Sequence, residues 1–332
     1  MRIIQVDKES VVPAYKQIVF QVEMAILSKR LFKDDRLPSV NKVCLENRIS
    51  RDTVFQAFDE LKRRGIIYAI MGKGYFVKTV DFQQGLRYFL LFDELNAFKE
   101  QLFQAFISAL GGKAQIDFFF HHFNANMFRK LIRDAKGNYA KYILMPSNLT
   151  DIEDVIATLP VSDVFILDQI RDSLEGYPSI YQNFSAAMYN SLSEAKGALM
   201  KYQKIKLIFT SYKEPIGMVR GFKRFCEEND FSYEIVTDIA QFRLEVRCVY
   251  VVPNDEDLVF IIESCLEKGF QIGDDVGLIS YNDTALKRVV ANGVTTISTD
   301  FAAMGKRLAE MVWDQEQVKI ENPSRLIVRK SL

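Results

Sequence analysis

Residues 49–54, Ile49-Ser50-Arg51-Asp52-Thr53-Val54, decide how the first quarter of this 332-residue chain folds. Ser50 can cap a helix by accepting a hydrogen bond from a first-turn backbone N–H. Behind it Val54, Ala57, Phe58 and Leu61 recur at helical spacing, and Gly65 after Lys62-Arg63-Arg64 supplies a stop with positive charge at the favourable end of the dipole. Toward the N-terminus, Ser39 after Pro38 caps a shorter helix whose Val40, Val43, Cys44 and Leu45 face inward, ending near Asn47-Arg48. Before it, Ile18, Val22, Ile26 and Leu27 mark an amphipathic helix from Pro13 through about Leu31, broken at Asp34-Asp35. Toward the C-terminus, Ile66 to Ile70 and Tyr75 to Thr79 read as strands around Met71-Gly72-Lys73-Gly74. Two short helices joined by a tight turn and followed by a hairpin form a helix-turn-helix pattern with a candidate wing.

Such a domain has a physical route to DNA. The third helix would enter the major groove by its N-terminal end, where free backbone N–H groups favour phosphate and Arg51, Thr53 and Gln56 can reach base edges. Gly72 and Gly74 would let the hairpin tip approach the phosphate backbone, with Lys73 as a point charge. The helices alone fit equally a three-helix domain that binds protein. Charge tilts the balance: Lys plus Arg equals Asp plus Glu at 43 each, yet residues 1–80 hold 15 basic and 9 acidic side chains. A basic head joined to an acidic body suggests that the head alone meets a polyanion.

In order and spacing, Leu37-Pro38-Ser39, Ile49 to Val54, Gly65-Ile66-Ile67 and Gly72-Lys73-Gly74-Tyr75-Phe76-Val77 resemble the winged-helix domain of GntR-type transcriptional regulators over residues 10 to 79. The resemblance implies an operator-DNA contact set of Ser39, Asn41, Ser50, Arg51, Thr53, Gln56, Gly72, Lys73 and Gly74. Two positions depart from the family pattern. The arginine usual shortly after Pro-Ser is Asn41, and the one common in mid-recognition helix is Phe55. The departures bear on operator sequence more than on DNA binding, because Asn41 can pair with adenine or phosphate.

From Leu86 onward short apolar runs alternate with helical patterns: Arg87 to Phe92, Gln115 to Phe120, Tyr142 to Met145, Val164 to Leu167, Lys206 to Phe209, Val249 to Val252 and Val276 to Ser280. The alternation predicts α/β architecture with parallel sheets between helices, divided into two doubly wound lobes. Ligands of such sheets bind beyond the carboxyl ends of the strands. Those ends carry Asp93-Glu94, His121-His122, Ser147-Asn148, Asp168-Gln169, Asn254-Asp255 and Asn282-Asp283, carboxylates and amides of the kind that pair with sugar hydroxyls. Each residue has a plain alternative as a helix cap or loop residue; His121 and His122 read equally as exposed loop residues, and Trp313 as packing.

Arg220-Gly221-Phe222, Val252-Pro253-Asn254-Asp255, the stretch from Lys268-Gly269-Phe270 to Ile279-Ser280-Tyr281-Asn282-Asp283, and Thr295-Thr296-Ile297 to Asp300-Phe301 resemble the sensor domain of LacI/GalR-type repressors, itself similar to periplasmic sugar-binding proteins. That likeness implies sugar-contacting roles for Asp168, Arg220, Asn254 and Asn282, and places Phe301 near a crossover between lobes. Asn282 stands where an aspartate is usual. With Asp93, Glu94, His121 and Ser147 these residues make up the expected effector site.

The expected organisation is a winged-helix domain over 1–79, a linker over 80–85 and a two-lobed effector domain over 86–332, similar to arabinose-type repressors. The expected partners are double-stranded operator DNA, a small neutral sugar of pentose or deoxyhexose type, and a second copy of the chain. Four dispersed cysteines without C-x-x-C and two histidines indicate neither a disulfide framework nor a metal set. No signal peptide or long apolar run is apparent, which implies a cytoplasmic protein independent of membranes. The fingerprints of dinucleotide, P-loop and nucleophile-elbow chemistry are missing, so neither cofactor nor catalysis is expected; the competing readings are a freestanding sugar-binding protein and a sugar-processing enzyme.

Overall fold

A computed structural model of the chain describes residues 3–8, 10, 12–80 and 86–332. The expected linker therefore lies outside the described residues except for Val80. The head packs α1 (Ala14–Leu27), α2 (Val40–Asn47) and α3 (Arg51–Arg63) under a hairpin of β1 (Ile67–Ile70) and β2 (Gly74–Val77). Both serine caps form: Ser39 Oγ accepts from the Lys42 N–H and Ser50 Oγ from the Thr53 N–H, each at 3.2 Å. Arg48, in the left-handed region at φ 52°, turns the chain between α2 and α3. Val54, Ala57, Phe58 and Leu61 are fully buried against Ile18, Val22 and Val43. Leu45 departs from expectation at 81 % exposure, because helical rotation puts it opposite buried Val43 and Asn47. The first helix ends at Leu27, not near Leu31.

The body has two lobes, each built on a six-stranded sheet. The first lobe uses β3 (Arg87–Phe92), β4 (Gln115–Phe120), β5 (Lys141–Leu144), β6 (Val164–Asp168), β7 (Ser179–Tyr181) and a late strand, β13 (Lys319–Glu321), in the order β13-β7-β6-β5-β3-β4, all parallel. The second uses β8 (Lys204–Ile208), β9 (Tyr233–Val236), β10 (Cys248–Val252), β11 (Val276–Tyr281), β12 (Thr295–Thr299) and β14 (Ser324–Ile327) in the order β14-β12-β11-β10-β8-β9, with β14 alone antiparallel. The seven expected strands are present within two residues of their expected ends. Five further strands complete the sheets: β7, β9, β13 and β14 are three or four residues long with polar or half-exposed side chains, and β12, Thr295–Thr299, is buried but is four-fifths threonine and serine, so it offers no apolar run.

The chain crosses between lobes three times: from β7 into α7 (Phe184–Glu194), from β12 into α11 (Phe301–Trp313), and from β13 into β14. Helices α4 (Ala97–Leu110), α5 (Ala125–Ala135) and α6 (Glu153–Ile156) complete the first lobe; α8 (Lys196–Leu199), α9 (Gly217–Glu228) and α10 (Asp255–Lys268) complete the second. Each lobe contains a helix crossing too tight for any side chain but glycine. A Cβ on Gly221 of α9 would lie 2.2 Å from the Ser185 carbonyl oxygen on α7, and one on Gly305 of α11 would lie 2.1 Å from that of Leu102 on α4.

Head and body meet loosely. Lys16 Nζ on α1 donates to Asn138 Oδ1 at 2.6 Å, beside a cavity of about 1150 Å³ lined by Phe20, Arg64, Arg87, Tyr139 and Trp313 among others. Burial and then the neighbouring Arg87 charge push the Lys16 ammonium pKa down, so two cations face each other across the junction.

Candidate functional site

Two groups of candidate side chains stand out, one exposed on the head and one buried where the lobes meet. On the head, Val54, Ala57, Phe58 and Leu61 hold α3 against the core, which turns Arg51, Asp52, Gln56, Asp59 and Arg63 outward. Arg51 and Gln56 are exposed as expected. Thr53 is half-buried and its hydroxyl shares a 2.8 Å hydrogen bond with Ser50 Oγ, so both act first as the cap of α3. Ser39 caps α2 in the same way, with Asn41 exposed on its first turn. Gly72 (φ 75°) and Gly74 (φ 107°) adopt backbone that other residues rarely take, carrying exposed Lys73 to the hairpin tip next to fully exposed Met71. Arg36, not anticipated, runs beside the hairpin in a bridge to Phe76 and adds an exposed cation there.

Between the lobes, charges are buried and paired. Lys99 on α4 reaches back to Asp93 at the end of β3, and both are buried. The second Asp93 oxygen accepts from Ser147 Oγ at 2.6 Å. Asp168, in the left-handed region at φ 74° at the last position of β6, accepts from Gln182 Nε2 at 2.6 Å; burial pushes its carboxyl pKa up against the pull of Lys99. From the second lobe, burial raises the Glu214 carboxyl to about 7 although Lys99 and Lys287 pull it down. Burial pushes the Tyr281 hydroxyl pKa up, and the charges of Asp168 from the first lobe and Glu214 from the second push it the same way.

Several buried polar atoms at or near the ends of the strands lack a hydrogen-bond partner among the described residues: His121 Nδ1, Arg171 Nε, Gln182 Oε1, Asn282 Oδ1 and the Tyr281 hydroxyl. Leaving such an atom buried and unpaired costs about 1–3 kcal/mol, so a cluster at strand ends marks a place where a polar guest would be stabilised. The lobes are already drawn together around it. Lys213 Nζ pairs with Glu94 Oε2 at 2.7 Å, Asn148 Nδ2 donates to the carbonyls of Tyr212 at 3.0 Å and Glu214 at 2.8 Å, and the Lys213 ammonium sits 5.1 Å from the Phe123 ring centroid.

The expected residues divide. Asp93, Glu94, Ser147 and Asp168 meet in or beside the cluster. His121 does too, and it is fully buried with Nε2 on the Met145 carbonyl at 2.9 Å, not an exposed loop residue. Asn282 contributes its unpaired Oδ1, while neighbouring Asp283 is held by Arg329 at 2.7 Å. Asn254 takes the plain alternative: its side chain caps α10, accepting from the N–H groups of Glu256 and Asp257. Phe301 starts α11 at the second crossover but is buried in the first lobe against Phe98, ring centroids 4.9 Å apart. Arg220 is exposed on α9 and its side chain makes no hydrogen bond or ion pair among the described residues. Trp313 lies at the head junction under Lys113. Lys99, Arg171, Gln182, Glu214, Tyr281 and Lys287 went unanticipated; only Tyr281 had a signal, next to the end of an expected strand.

A winged helix with an exposed reading helix, joined to a two-lobed body that buries polar side chains at the strand ends where its lobes meet, defines a DNA-binding transcriptional regulator with a ligand-binding type of sensor. The model of the bacterial regulatory proteins of the gntR family matches residues 14–77, and that of the periplasmic binding protein-like domain matches residues 201–332. The chain is 22 % identical to the arabinose metabolism transcriptional repressor of Geobacillus stearothermophilus over 98 % of this chain and 97 % of the relative. It is 32 % identical to the HTH-type transcriptional repressor YtrA of Bacillus subtilis over 32 % of this chain and 78 % of that protein. The crystal structure of the Lac repressor bound to ONPG in the repressed state superposes with a TM-score of 0.61 at 17 % identity, covering 87 % of this chain and 94 % of that one. The chain thus joins a gntR-type DNA-binding domain to a periplasmic-binding-protein-like body with the LacI-type fold.

Proposed function

We propose that this chain is a transcriptional repressor whose hold on its operator is set by a small neutral sugar, a pentose or deoxyhexose, bound between the lobes of residues 86–332 and signalled through 80–85 to the winged helix of 1–79. The observation that carries the reading is the buried Asp168 carboxyl with Gln182 bonded to it, together with unpaired polar atoms on Gln182, His121, Asn282 and Tyr281 at the strand ends of the two lobes. Sugar hydroxyls both donate and accept, so one guest can satisfy carboxylate, amide and imidazole together. Two of the nearby cations are already paired, Lys99 with Asp93 and Lys287 with Asp255 at 2.6 Å, which favours a neutral guest over an anion. The arabinose repressor among the relatives supports a pentose.

The repressor acts as a cytoplasmic homodimer. Val259 and Leu266 on α10, and Leu286 and Val289 on the segment that the Lys287–Asp255 ion pair ties to α10, are apolar side chains 54–72 % exposed, and the partner copy is assigned to them. Sugar binding favours one lobe arrangement, changes the separation of the two heads and thereby the match to half-site spacing. A melting-temperature screen of the full chain against pentoses, hexoses and deoxysugars tests this reading, since a ligand bound only by the folded state raises the midpoint. A rise with one sugar class supports it; no rise with any at millimolar concentration contradicts it.

A further inference from the structure

The outward stripe of α3 contains a side chain that neither charge nor capping explains. Phe55 lies one helical turn after Arg51 and is 37 % exposed, and the Arg51 guanidinium sits 5.8 Å from its ring centroid. Arg51 and Phe55 therefore form one unit at the end of the helix that would enter a groove. An aromatic edge has no hydrogen bond to offer a base, and the apolar feature of the major groove is the thymine methyl. An arginine in the same unit matches the O6 and N7 acceptors of guanine.

We infer that Arg51 and Phe55 together read a guanine next to a thymine in each operator half-site, with Arg51 donating to the guanine and the Phe55 ring packing on the thymine methyl. Phe55 restricts Arg51 to the conformers that lie along its ring, so the pair discriminates better than an arginine alone. The inference rests on the operator-binding reading and adds to it what the operator contains.

The test begins with selection of duplexes from a random pool by the full-length protein. Failure to enrich any sequence would overturn the operator-binding reading itself. With an enriched sequence in hand, each thymine is replaced singly by deoxyuridine, which removes one methyl and leaves pairing intact, and affinities are measured at fixed salt for the native protein and Phe55→Ala. The expected result is one thymine per half-site, beside a guanine, where the replacement weakens native binding about fourfold, the worth of a buried methyl-sized group, and leaves Phe55→Ala unaffected. Equal losses in both proteins, or no loss at any thymine, overturns the inference while the selected operator stands. Exposure of Phe55 makes a folding failure of the variant easy to exclude by its melting curve.

Discussion

The head and the cleft offer polar groups in opposite states. On α3, Arg51 and Gln56 stand in solvent, and Ser50 spends itself on a cap, so the site is ready before any partner arrives. Between the lobes Asp168, Gln182 and His121 are buried, each with one satisfied contact and potential left over. The difference teaches where each affinity comes from. Exposed cations lose little on meeting phosphate, and their contribution falls with salt. Buried half-satisfied groups gain most from a guest of matching hydroxyl geometry, and that gain is selective and screened little.

The largest effect should follow from Asp168→Ala, which removes the buried carboxyl that the proposed function sets against the sugar. Calorimetry with the stabilising sugar should record at least about 100-fold weaker binding, near 3 kcal/mol, with operator affinity retained; loss of DNA binding instead would make Asp168 structural. Next is the paired test of the lobes. Gly221→Ala and Gly305→Ala each place a Cβ against a carbonyl, and each should cost about 2–3 kcal/mol in denaturant unfolding. A neutral result in one lobe would break the equivalence of the two helix crossings. Arg51→Ala should weaken operator binding about 10- to 30-fold and lower the salt slope, while leaving the sugar-induced rise in melting temperature intact.

A smaller effect is expected with pH. Burial raises the Glu214 carboxyl to about 7. A raised carboxyl holds its proton more tightly in the folded, closed arrangement than in the unfolded chain, so stability is lost as pH rises from the ordinary carboxylate range through about 7 and levels off above. Melting curves of Glu214→Gln should show a flatter decline over that window than the native protein; an identical decline contradicts the assignment. Smallest is Glu94→Gln, which removes a half-exposed interlobe ion pair and should change sugar affinity less than about fivefold.

Legibility along the chain follows the range of the interactions. Ser39 and Ser50 were readable because a cap is closed within three residues. The long apolar strands were readable because burial on both faces leaves continuous runs, whereas β13, Lys319-Ile320-Glu321, has a single apolar residue and pairs with β7 some 140 positions earlier. The cleft was legible only at strand ends. Lys99 turns inward because Asp93 needs a cation, and Glu214 sits in a loop that meets Asn148 of the other lobe, contacts with no periodicity behind them. Arg220 was expected in the site from its neighbourhood of Gly221 and Phe222, yet those two neighbours face the core and turn Arg220 to solvent.

Coupling between cleft and head is the central claim, and linkage makes it measurable from either end. If the sugar alters operator affinity by some factor, the operator must alter sugar affinity by the same factor, about 5- to 150-fold for a coupling of about 1–3 kcal/mol. Titration of the stabilising sugar into the full chain, alone and saturated with its selected operator, is the direct measurement. Dissociation constants that differ within that range are expected; equal constants would mean that the lobes do not speak to the DNA-binding head.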